Sequence, residues 1–268
     1  MIYYFKNKAD HKRTLAYISN QTPYNFVKVL GEGSYGVAYL LEHKTTMEQV
    51  VLKRLKAKHH KHGLGKFHQE VEFIKQLSNC PVPSIISQGF IESSPYYFMS
   101  YVNGRTFEQA LFEDGLTISI FEAFTTIETV LLIVKKMHEK QIVHRDLRIP
   151  NILLVDGQIC IIDFGLATKI EPDVSILNVK NPKKIAHPIS DLYAIGHFLL
   201  FLLYSSYNPT GKKSRSWQEE LNLPLQQEQF IEKLLTIQQP FLSCDEALEH
   251  LYKIKQKNTI HVKSRNHT

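Results

Sequence analysis

The sequence has few cysteines, and those present do not indicate a disulfide framework or a zinc site. The chain has 268 residues and three cysteines, Cys80, Cys160 and Cys244, which are isolated from one another, odd in number and without the close spacing of metal ligands. We therefore expect three reduced thiols packed in the interior.

Long apolar segments are also missing. The longest such stretch, 192–204, contains His197 and is shorter than the roughly 20 residues that a bilayer-spanning helix needs. The first residues, Met-Ile-Tyr-Tyr-Phe-Lys-Asn-Lys, lack the apolar core and cleavage site of a secretory signal. These absences predict a cytoplasmic chain without a membrane span, and a buried helix at 192–204.

Basic residues exceed acidic ones by 32 to 26, but most of them are scattered. A nucleic-acid-binding module is therefore not favoured. The exception is 56–66, which reads Lys-Ala-Lys-His-His-Lys-His-Gly-Leu-Gly-Lys. We interpret it as a solvated loop; contact with an anionic partner and adventitious metal binding are the alternatives.

The N-terminal part of the chain has the pattern of a small sheet with one helix. Short apolar, β-branched and aromatic runs, separated by turn residues, predict strands at 25–30, 37–42, 49–55, 85–91 and 96–101. At 66–78 the apolar residues recur every three or four positions, which predicts a helix. Residues before this region form a helix or an arm.

Helical patterns dominate the rest of the chain. They predict helices near 107–112, 120–140, 190–206, 227–238 and 244–256, with two strands at 152–154 and 159–162. We therefore predict an α+β fold of two lobes. The predicted organisation is an extension at 1–22, an N-lobe at 23–102, a C-lobe at 103–257 and a frayed tail at 258–268.

A glycine-rich stretch lies between the first two predicted strands. It reads Gly31-Glu-Gly33-Ser-Tyr-Gly36-Val37, and its glycines permit a tight turn whose backbone N–H groups can approach phosphates. A plain hairpin turn is the alternative. The strand that follows argues against a dinucleotide-binding unit, which would continue as a helix.

A lysine interrupts the apolar strand Val50-Val51-Leu52-Lys53. A buried ammonium is costly without a counter-charge, so Lys53 needs a carboxylate and an anionic ligand. On a helix that advances about 100° per residue, Glu70 falls on the apolar face of 66–78, whereas Glu72 points outward. The alternative is an exposed lysine and a solvated glutamate.

The segment 144–151, His-Arg-Asp-Leu-Arg-Ile-Pro-Asn, carries the strongest signal. It lies between a long helix and an apolar strand, so its polar groups are held in a loop. Asn151 offers an amide oxygen, and twelve residues later Asp163, in Asp163-Phe-Gly, offers a carboxylate at a strand end. Hard oxygen ligands together with substrate phosphates suit Mg²⁺.

Together these motifs resemble the signature set of the eukaryotic-type protein kinase superfamily. The resemblance runs from about residue 26 to 196, and more loosely to 256. It implies a two-lobed protein-kinase-like fold, with a β-rich N-lobe that carries one main helix and a helical C-lobe. It also implies a serine/threonine-type enzyme of a compact, bacterial-like form.

The resemblance implies ATP and Mg²⁺ as cofactors and gives each motif residue a role. Asp146 would orient or deprotonate the acceptor hydroxyl, and Arg148 would contact the γ-phosphate or the acceptor. Asn151 and Asp163 would bind Mg²⁺, and Lys53, paired with Glu70, would hold the α- and β-phosphates. Other residues implied around the nucleotide are Gly31, Gly33 and Gly36 over the phosphates, Val37, Val51 and Leu153 at the adenine, Met99 as gatekeeper, and Ser100 and Val102 in the hinge. Asp191 would brace the catalytic loop.

The match departs from the family pattern after Gly165. The segment 165–191 is short and lacks Ala-Pro-Glu, and the arginine expected near 240–243 is missing too. These absences leave ATP chemistry intact but affect peptide-substrate recognition. Thr168 and Ser175 are the nearest candidates for a phosphate gripped by Arg145, although a short segment need not be phosphorylated.

Four functions compete. The leading one is transfer of a phosphoryl group to a protein hydroxyl, with Ser and Thr favoured over Tyr. A small-molecule kinase of the same fold usually lacks His-Arg-Asp, and a pseudokinase scaffold has no chemical need of Lys53, Glu70, Asp146, Asn151 and Asp163 together. A nucleic-acid-binding module would rest on 56–66 alone.

Overall fold

The computed structural model describes residues 8–33, 36–56, 63–171, 181–208 and 215–265, with side chains described up to residue 256. The chain forms two compact units. The first comprises the described residues up to Ser78 together with Val82–Asn103, and the second comprises Asn79–Pro81 and the described residues from Gly104 onward. The domain limits placed at 22, 102 and 257 from the sequence stay predictions.

The first unit contains a five-stranded antiparallel sheet in which the first three strands along the chain are neighbours in order, the fifth lies beside the third, and the fourth is at the edge. Each predicted strand is present, with ends no more than two residues from those expected. The strands are β1 (Tyr24–Glu32), β2 (Gly36–His43), β3 (Gln49–Leu55), β4 (Ile85–Ile91) and β5 (Ser94–Ser100).

Helices cover both faces of this sheet. Val50 and Leu52 of β3 pack in one cluster with Ile18 of α1 (Lys8–Gln21). On the other face, Leu55 packs with Phe67 and Val71 of α2 (Leu64–Gln76). Because successive side chains of a strand point to opposite faces, burial on both sides explains why apolar residues of β3 occur in a consecutive run, Val50-Val51-Leu52, rather than at every second position. Of the two alternatives for the N-terminal extension, residues 8–21 therefore form a helix packed on the sheet, and residues 1–7 lie outside the described residues.

A buried arginine ties α1 to β3. Arg54 is only 4% exposed. Its Nη1 donates to the carbonyl oxygen of Asp10 and to Oγ1 of Thr14, each at 2.8 Å. Its Nη2 donates to Oδ1 of Asp10 at 3.2 Å and to Oγ of Ser94 at 3.0 Å. These contacts compensate the burial of the guanidinium charge.

Replacement of Asp10 by Ala should therefore destabilise the fold. The change leaves the Arg54 charge buried without its carboxylate, and breaking such a pair costs about 3–5 kcal/mol of the free energy of unfolding. Urea unfolding measures the loss. The matched control is Arg13→Ala, because Arg13 contacts the same carboxylate from an exposed position and should change stability by less than about 1 kcal/mol. Equal effects of the two changes would contradict the expectation.

The second unit is built on helices. They are α3 (Phe107–Phe112), α4 (Ile120–Glu139), α5 (Pro188–Tyr204), α6 (Trp217–Leu221), α7 (Leu225–Leu234) and α8 (Cys244–Arg265). The helix α4 starts with a capping box in which Ser119 and Glu122 satisfy each other's backbone N–H groups. The helix α8 continues past the predicted end at 256, because no Gly or Pro interrupts it.

Short strands hold the loops of the second unit. A hairpin of β8 (Ile152–Val155) and β9 (Gln158–Ile161) pairs with β6 (Arg105–Thr106). A second ladder joins β7 (Ile142–Val143) to β10 (Thr168–Lys169). The segment 144–151 thus lies between β7 and β8, and Asp163 follows β9. Over the described parts of the chain, no helix is both long and apolar enough to cross a membrane.

Candidate active site

A short buried ion pair lies in the first unit. Nζ of Lys53 donates to Oε1 of Glu70 at 2.6 Å, with 16% and 4% of the two side chains exposed. Lys53 lies on the face of β3 that α2 covers, so the helix supplies the counter-charge. Glu72 is exposed and pairs with Lys75, in agreement with the helical spacing. Of the two glutamates, only Glu70 faces the strand.

The glycine-rich turn is closed by its own backbone. The N–H of Gly33 donates to the carbonyl oxygen of Gly36 at 3.0 Å. A Cβ on Gly36 would lie 2.9 Å from the carbonyl oxygen of Arg54, so this position has no room for a side chain. The N–H of Gly33 is therefore engaged in the turn, and residues 34–35 lie outside the described residues.

Lys56 secures the same turn, a contact that the sequence did not reveal. Its Nζ lies 2.7 Å from the carbonyl oxygen of Gly33 and 2.7 Å from Oε1 of Glu32. The interpretation of 56–66 as a solvated loop is therefore wrong for Lys56, whose side chain is 15% exposed and paired with Glu32, and for residues 64–66, which belong to α2. Residues 57–62 of that stretch lie outside the described residues.

The residues implied around the adenine have the following positions. Val51 is buried in β3, opposite Met99 of β5, and Val37 is half-buried in β2. Ser100 ends β5 and exchanges two hydrogen bonds of 2.9 Å with Ser84, and Val102 follows it half-buried. Leu153 belongs to the second unit and is buried in β8. Contact of these residues with a nucleotide stays a prediction.

The carboxylate of Asp146 accepts hydrogen bonds from two side chains of the segment 144–151. Arg148 donates from Nε to Oδ1 of Asp146 at 2.6 Å and from Nη2 to Oδ2 at 3.0 Å. Asn151 donates from Nδ2 to Oδ2 and to the backbone carbonyl oxygen of Asp146, both at 2.9 Å. The hydrogen bond to Asp146 raises the pKa of Arg148, against the opposing effect of burial. Both oxygens of Asp146 are thereby oriented by residues of its own loop.

The two residues expected to hold a metal come to the same end of the β8–β9 hairpin. The N–H of Ile162 donates to the carbonyl oxygen of Asn151 at 3.0 Å, directly before Asp163. Asp163 is exposed and has a positive φ of 63°. In Asn151 it is Nδ2 that bonds Asp146, so Oδ1 is the atom suited to bind a cation.

This pair of hard oxygen donors fits Mg²⁺. Protein sites usually give this ion one or two carboxylates, and water and substrate phosphates complete its octahedron. Within the described ranges, no three His, Cys, Asp or Glu side chains are grouped as a metal site. A cation held by Asn151 and Asp163 would take its remaining ligands from water or from a bound phosphate.

His144 links the loop to the Asp163-Phe164-Gly165 segment. Its Nε2 lies 3.2 Å from the carbonyl oxygen of Ile162 and its Nδ1 accepts the N–H of Asp146 at 3.2 Å. A carbonyl oxygen only accepts, so Nε2 carries the hydrogen. The imidazole also contacts the buried Phe164 ring edge-on, with centroids 4.8 Å apart. His144 therefore couples the position of Asp146 to that of Ile162, the residue that directly precedes Asp163.

Asp191, at the start of α5, holds the backbone of the segment 144–151 by hydrogen bonds. It is fully buried, and its carboxylate accepts the N–H of His144 at 2.9 Å and that of Arg145 at 2.7 Å. Arg145 has a φ of 64°, which is uncommon for a residue other than glycine. The carboxylate of Asp191 therefore stabilises a strained residue that directly precedes Asp146.

Arg145 contacts the segment that follows Gly165. Its Nη2 donates to the carbonyl oxygen of Lys184 at 2.8 Å. Thr168 pairs with Val143 in the β10–β7 ladder, and Ser175 lies outside the described residues. Arg145 is thus bonded to main chain, in a position where a phosphate was considered from the sequence.

The chain is similar in sequence to proteins of known family. The protein kinase domain family matches residues 24–253. The chain is 33% identical over 239 residues to the probable serine/threonine-protein kinase YbdM of Bacillus subtilis, covering 88% of this chain and 91% of that protein. It is 28% identical over 196 residues to the serine/threonine-protein kinase PrkC of the same organism, covering 67% of this chain but 30% of PrkC.

The fold is shared with a solved structure. The PknI kinase domain of Mycobacterium tuberculosis superimposes with a TM-score of 0.63 at 18% identity, covering 86% of this chain and 95% of that domain. This likeness confirms the predicted α+β protein-kinase-like fold.

The chain belongs to the protein kinase family. Of the relatives named above, PrkC is a serine/threonine-protein kinase and YbdM is a probable one, in agreement with the enzyme class predicted from the motifs.

Proposed function

We propose that this kinase transfers the γ-phosphoryl group of Mg-ATP to a serine or threonine hydroxyl of a protein substrate. The observation that carries the proposal is the Asp146 carboxylate, whose two oxygens are held by Arg148 and Asn151. A fixed, charged acceptor is what an attacking hydroxyl needs in order to be oriented for in-line transfer.

Each of the site residues has a distinct task in this proposal. Asp146 accepts the hydrogen bond of the substrate hydroxyl and takes its proton late in the reaction. Lys53, kept in place by Glu70, binds the α- and β-phosphates, and Asn151 and Asp163 hold the cation. When bound, Mg²⁺ would offset part of the negative charge that develops on the phosphoryl group transferred from ATP.

Arg148 makes a bidentate contact with Asp146 that bears on the reaction. Its bidentate contact orients both carboxylate oxygens of Asp146 and positions a fixed positive charge where the γ-phosphate is expected. A lysine at this position would present a single ammonium group and could not bind both carboxylate oxygens of Asp146 through a planar, bidentate contact. We therefore assign Arg148 to the reaction as a contact for the transferred phosphate and as a holder of Asp146.

The preference for serine and threonine rests on the relatives named above and has a direct test. The purified chain is incubated with γ-labelled Mg-ATP and a mixture of proteins, and the labelled products are hydrolysed in acid. Phosphoserine or phosphothreonine is the expected product. Label in phosphotyrosine alone would refute the specificity, and intact ATP binding without protein label would favour a small-molecule acceptor or a scaffold.

The role of Asp163 is tested by its replacement with Asn. The Mg²⁺ concentration for half-maximal transfer should rise at least about tenfold, because Asn keeps an oxygen but loses the charge that a hard cation prefers. Initial rates across a Mg²⁺ titration give this value. Asp156→Asn is the control, since Asp156 is an exposed residue in the turn of the same hairpin. An unchanged Mg²⁺ requirement in Asp163→Asn would remove this residue from the metal site.

A further inference from the structure

The glycine-rich turn follows a strand that has a single neighbour. Within the described sheet, β1 pairs with β2 alone, so it is an edge strand. The register of this pairing shifts between Val29 and Gly31, directly before the turn. An irregularity of this kind disrupts the ladder of hydrogen bonds locally. The position of the turn therefore depends on contacts outside the pairing of β1 with β2.

Lys56 supplies such a contact from the end of β3. Its Nζ donates to the carbonyl oxygen of Gly33 and to Oε1 of Glu32, both at 2.7 Å. Leu55, the residue before Lys56, is paired with Gly36 of β2, so the lysine side chain reaches from β3 across β2 to the end of β1. Only 15% of each charged side chain is exposed, so solvent weakens this pair less than it weakens a surface pair.

Lys56 and Lys53 lie on opposite faces of the sheet. Lys53 pairs with Glu70 of α2, whereas Lys56 lines a small cavity together with Asp10 and His11 of α1. This arrangement follows from the strand, because side chains alternate between the faces and the two lysines are an odd number of residues apart. Lys56 therefore contacts the turn from the face opposite to Lys53, the proposed phosphate ligand.

We propose that Lys56 is a positioning residue for the binding of ATP. Its ammonium, anchored by Glu32, holds the carbonyl group of Gly33 and so fixes the turn whose backbone approaches the phosphates. A turn that is in place before the nucleotide arrives binds it more tightly, because the apparent Kd rises as the binding-competent fraction of the protein falls. The inference rests on the proposed binding of Mg-ATP, but the order of the turn itself can be measured without it.

The first test is made without nucleotide. The N–H of Gly33 donates to the carbonyl oxygen of Gly36, and its exchange with water, followed by NMR, reports how often the turn opens. Exchange should be roughly threefold to tenfold faster in Lys56→Ala, the effect of one lost hydrogen bond. Lys44→Ala is the matched control, because Lys44 also donates to main-chain carbonyl oxygens, directly after the far end of β2. Unchanged exchange in Lys56→Ala would overturn the proposal.

The second test compares two ligands. Calorimetric titration gives the Kd of Mg-ATP and that of adenosine, which has no phosphates for the turn to contact. Lys56→Ala should raise the Kd of Mg-ATP about threefold to tenfold and leave that of adenosine unchanged, and Lys44→Ala should change neither. Wild-type affinity of Lys56→Ala for Mg-ATP, or an equal loss of affinity for both ligands, would contradict the proposed role.

The double variant Glu32→Ala/Lys56→Ala separates positioning from attraction between charges. It lacks the contact with the turn but keeps the net charge that the wild type has there. We expect it to bind Mg-ATP more weakly than the wild type, whereas full recovery of affinity would refute the proposal. Glu32→Ala alone should also bind Mg-ATP more weakly, because the ammonium loses its anchor. Tighter binding than in the wild type would instead assign Lys56 to direct contact with the phosphates.

The failure of this inference is distinguishable from that of the proposed function. If the wild type transfers no phosphoryl group, the proposed function fails, and exchange of the Gly33 N–H still decides whether Lys56 holds the turn. If the wild type is active and Lys56→Ala matches it in exchange and in affinity for Mg-ATP, the function stands and the role of Lys56 is refuted.

Discussion

Replacement of Asp146 by Asn is expected to lower kcat by about 10²- to 10⁴-fold, the usual contribution of a positioned general base. The amide retains the size of the carboxylate but has no charge and one acceptor oxygen fewer. It therefore neither holds the substrate hydroxyl in line nor receives its proton. Initial rates with labelled Mg-ATP measure the loss, and a fluorescence titration shows whether nucleotide binding persists.

The matched control is Asp114→Asn. Asp114 is an exposed residue of the same unit whose carboxylate pairs with Arg105, and surface pairs of this kind contribute little to stability. Its replacement should leave kcat unchanged. An Asp146→Asn variant that keeps more than about a tenth of the wild-type rate would show that another group performs the proposed step.

Lys53→Met is the second change for which a large effect is expected. The ammonium is the proposed contact for the α- and β-phosphates, so its loss should reduce transfer by at least about 100-fold, within the range for a lost electrostatic contact of the transition state. The change also leaves the carboxylate of Glu70, 4% exposed, buried without its 2.6 Å partner. Part of the loss could therefore come from a weakened fold.

The double variant Lys53→Met/Glu70→Gln separates the two causes. A neutral amide removes the buried uncompensated charge, so the melting temperature should recover toward that of the wild type. Transfer should stay as low as in Lys53→Met. Recovery of transfer together with stability would mean that Lys53 acts through folding alone.

The parts of the molecule that could be predicted are those encoded by patterns of residues close together in the sequence. The spacing of apolar residues located α2 and placed Glu70 on its buried face, because neighbours three and four apart share one side of a helix. The order of the glycine-rich turn, Lys53, the segment 144–151 and Asp163 indicated the chemistry. These features require only short-range geometry and the residue types that phosphate and Mg²⁺ need.

The contacts that could not be predicted join distant residues. Arg54 follows Lys53 and reads as one more strand residue, and its partner Asp10 lies 44 positions away. The contact of Cys244 with His138 spans 106 positions. Periodicity reports which side of an element is buried but not what covers it. Lys56 was misassigned for the same reason, because its partner Glu32 lies 24 positions earlier, at the end of β1.

The helix α1 has a consequence for any shortened form of the chain. The match to the family begins at residue 24, so a chain cut to the matched residues would lose α1. Its removal would bare the sheet face that includes Tyr39, Leu41, Val50, Leu52 and Phe98, with the cation of Arg54 among them. A continuous apolar patch of this kind promotes self-association. The first helix therefore shields the apolar face of the sheet from solvent. We expect a fragment made without it to aggregate rather than to fold as a smaller kinase.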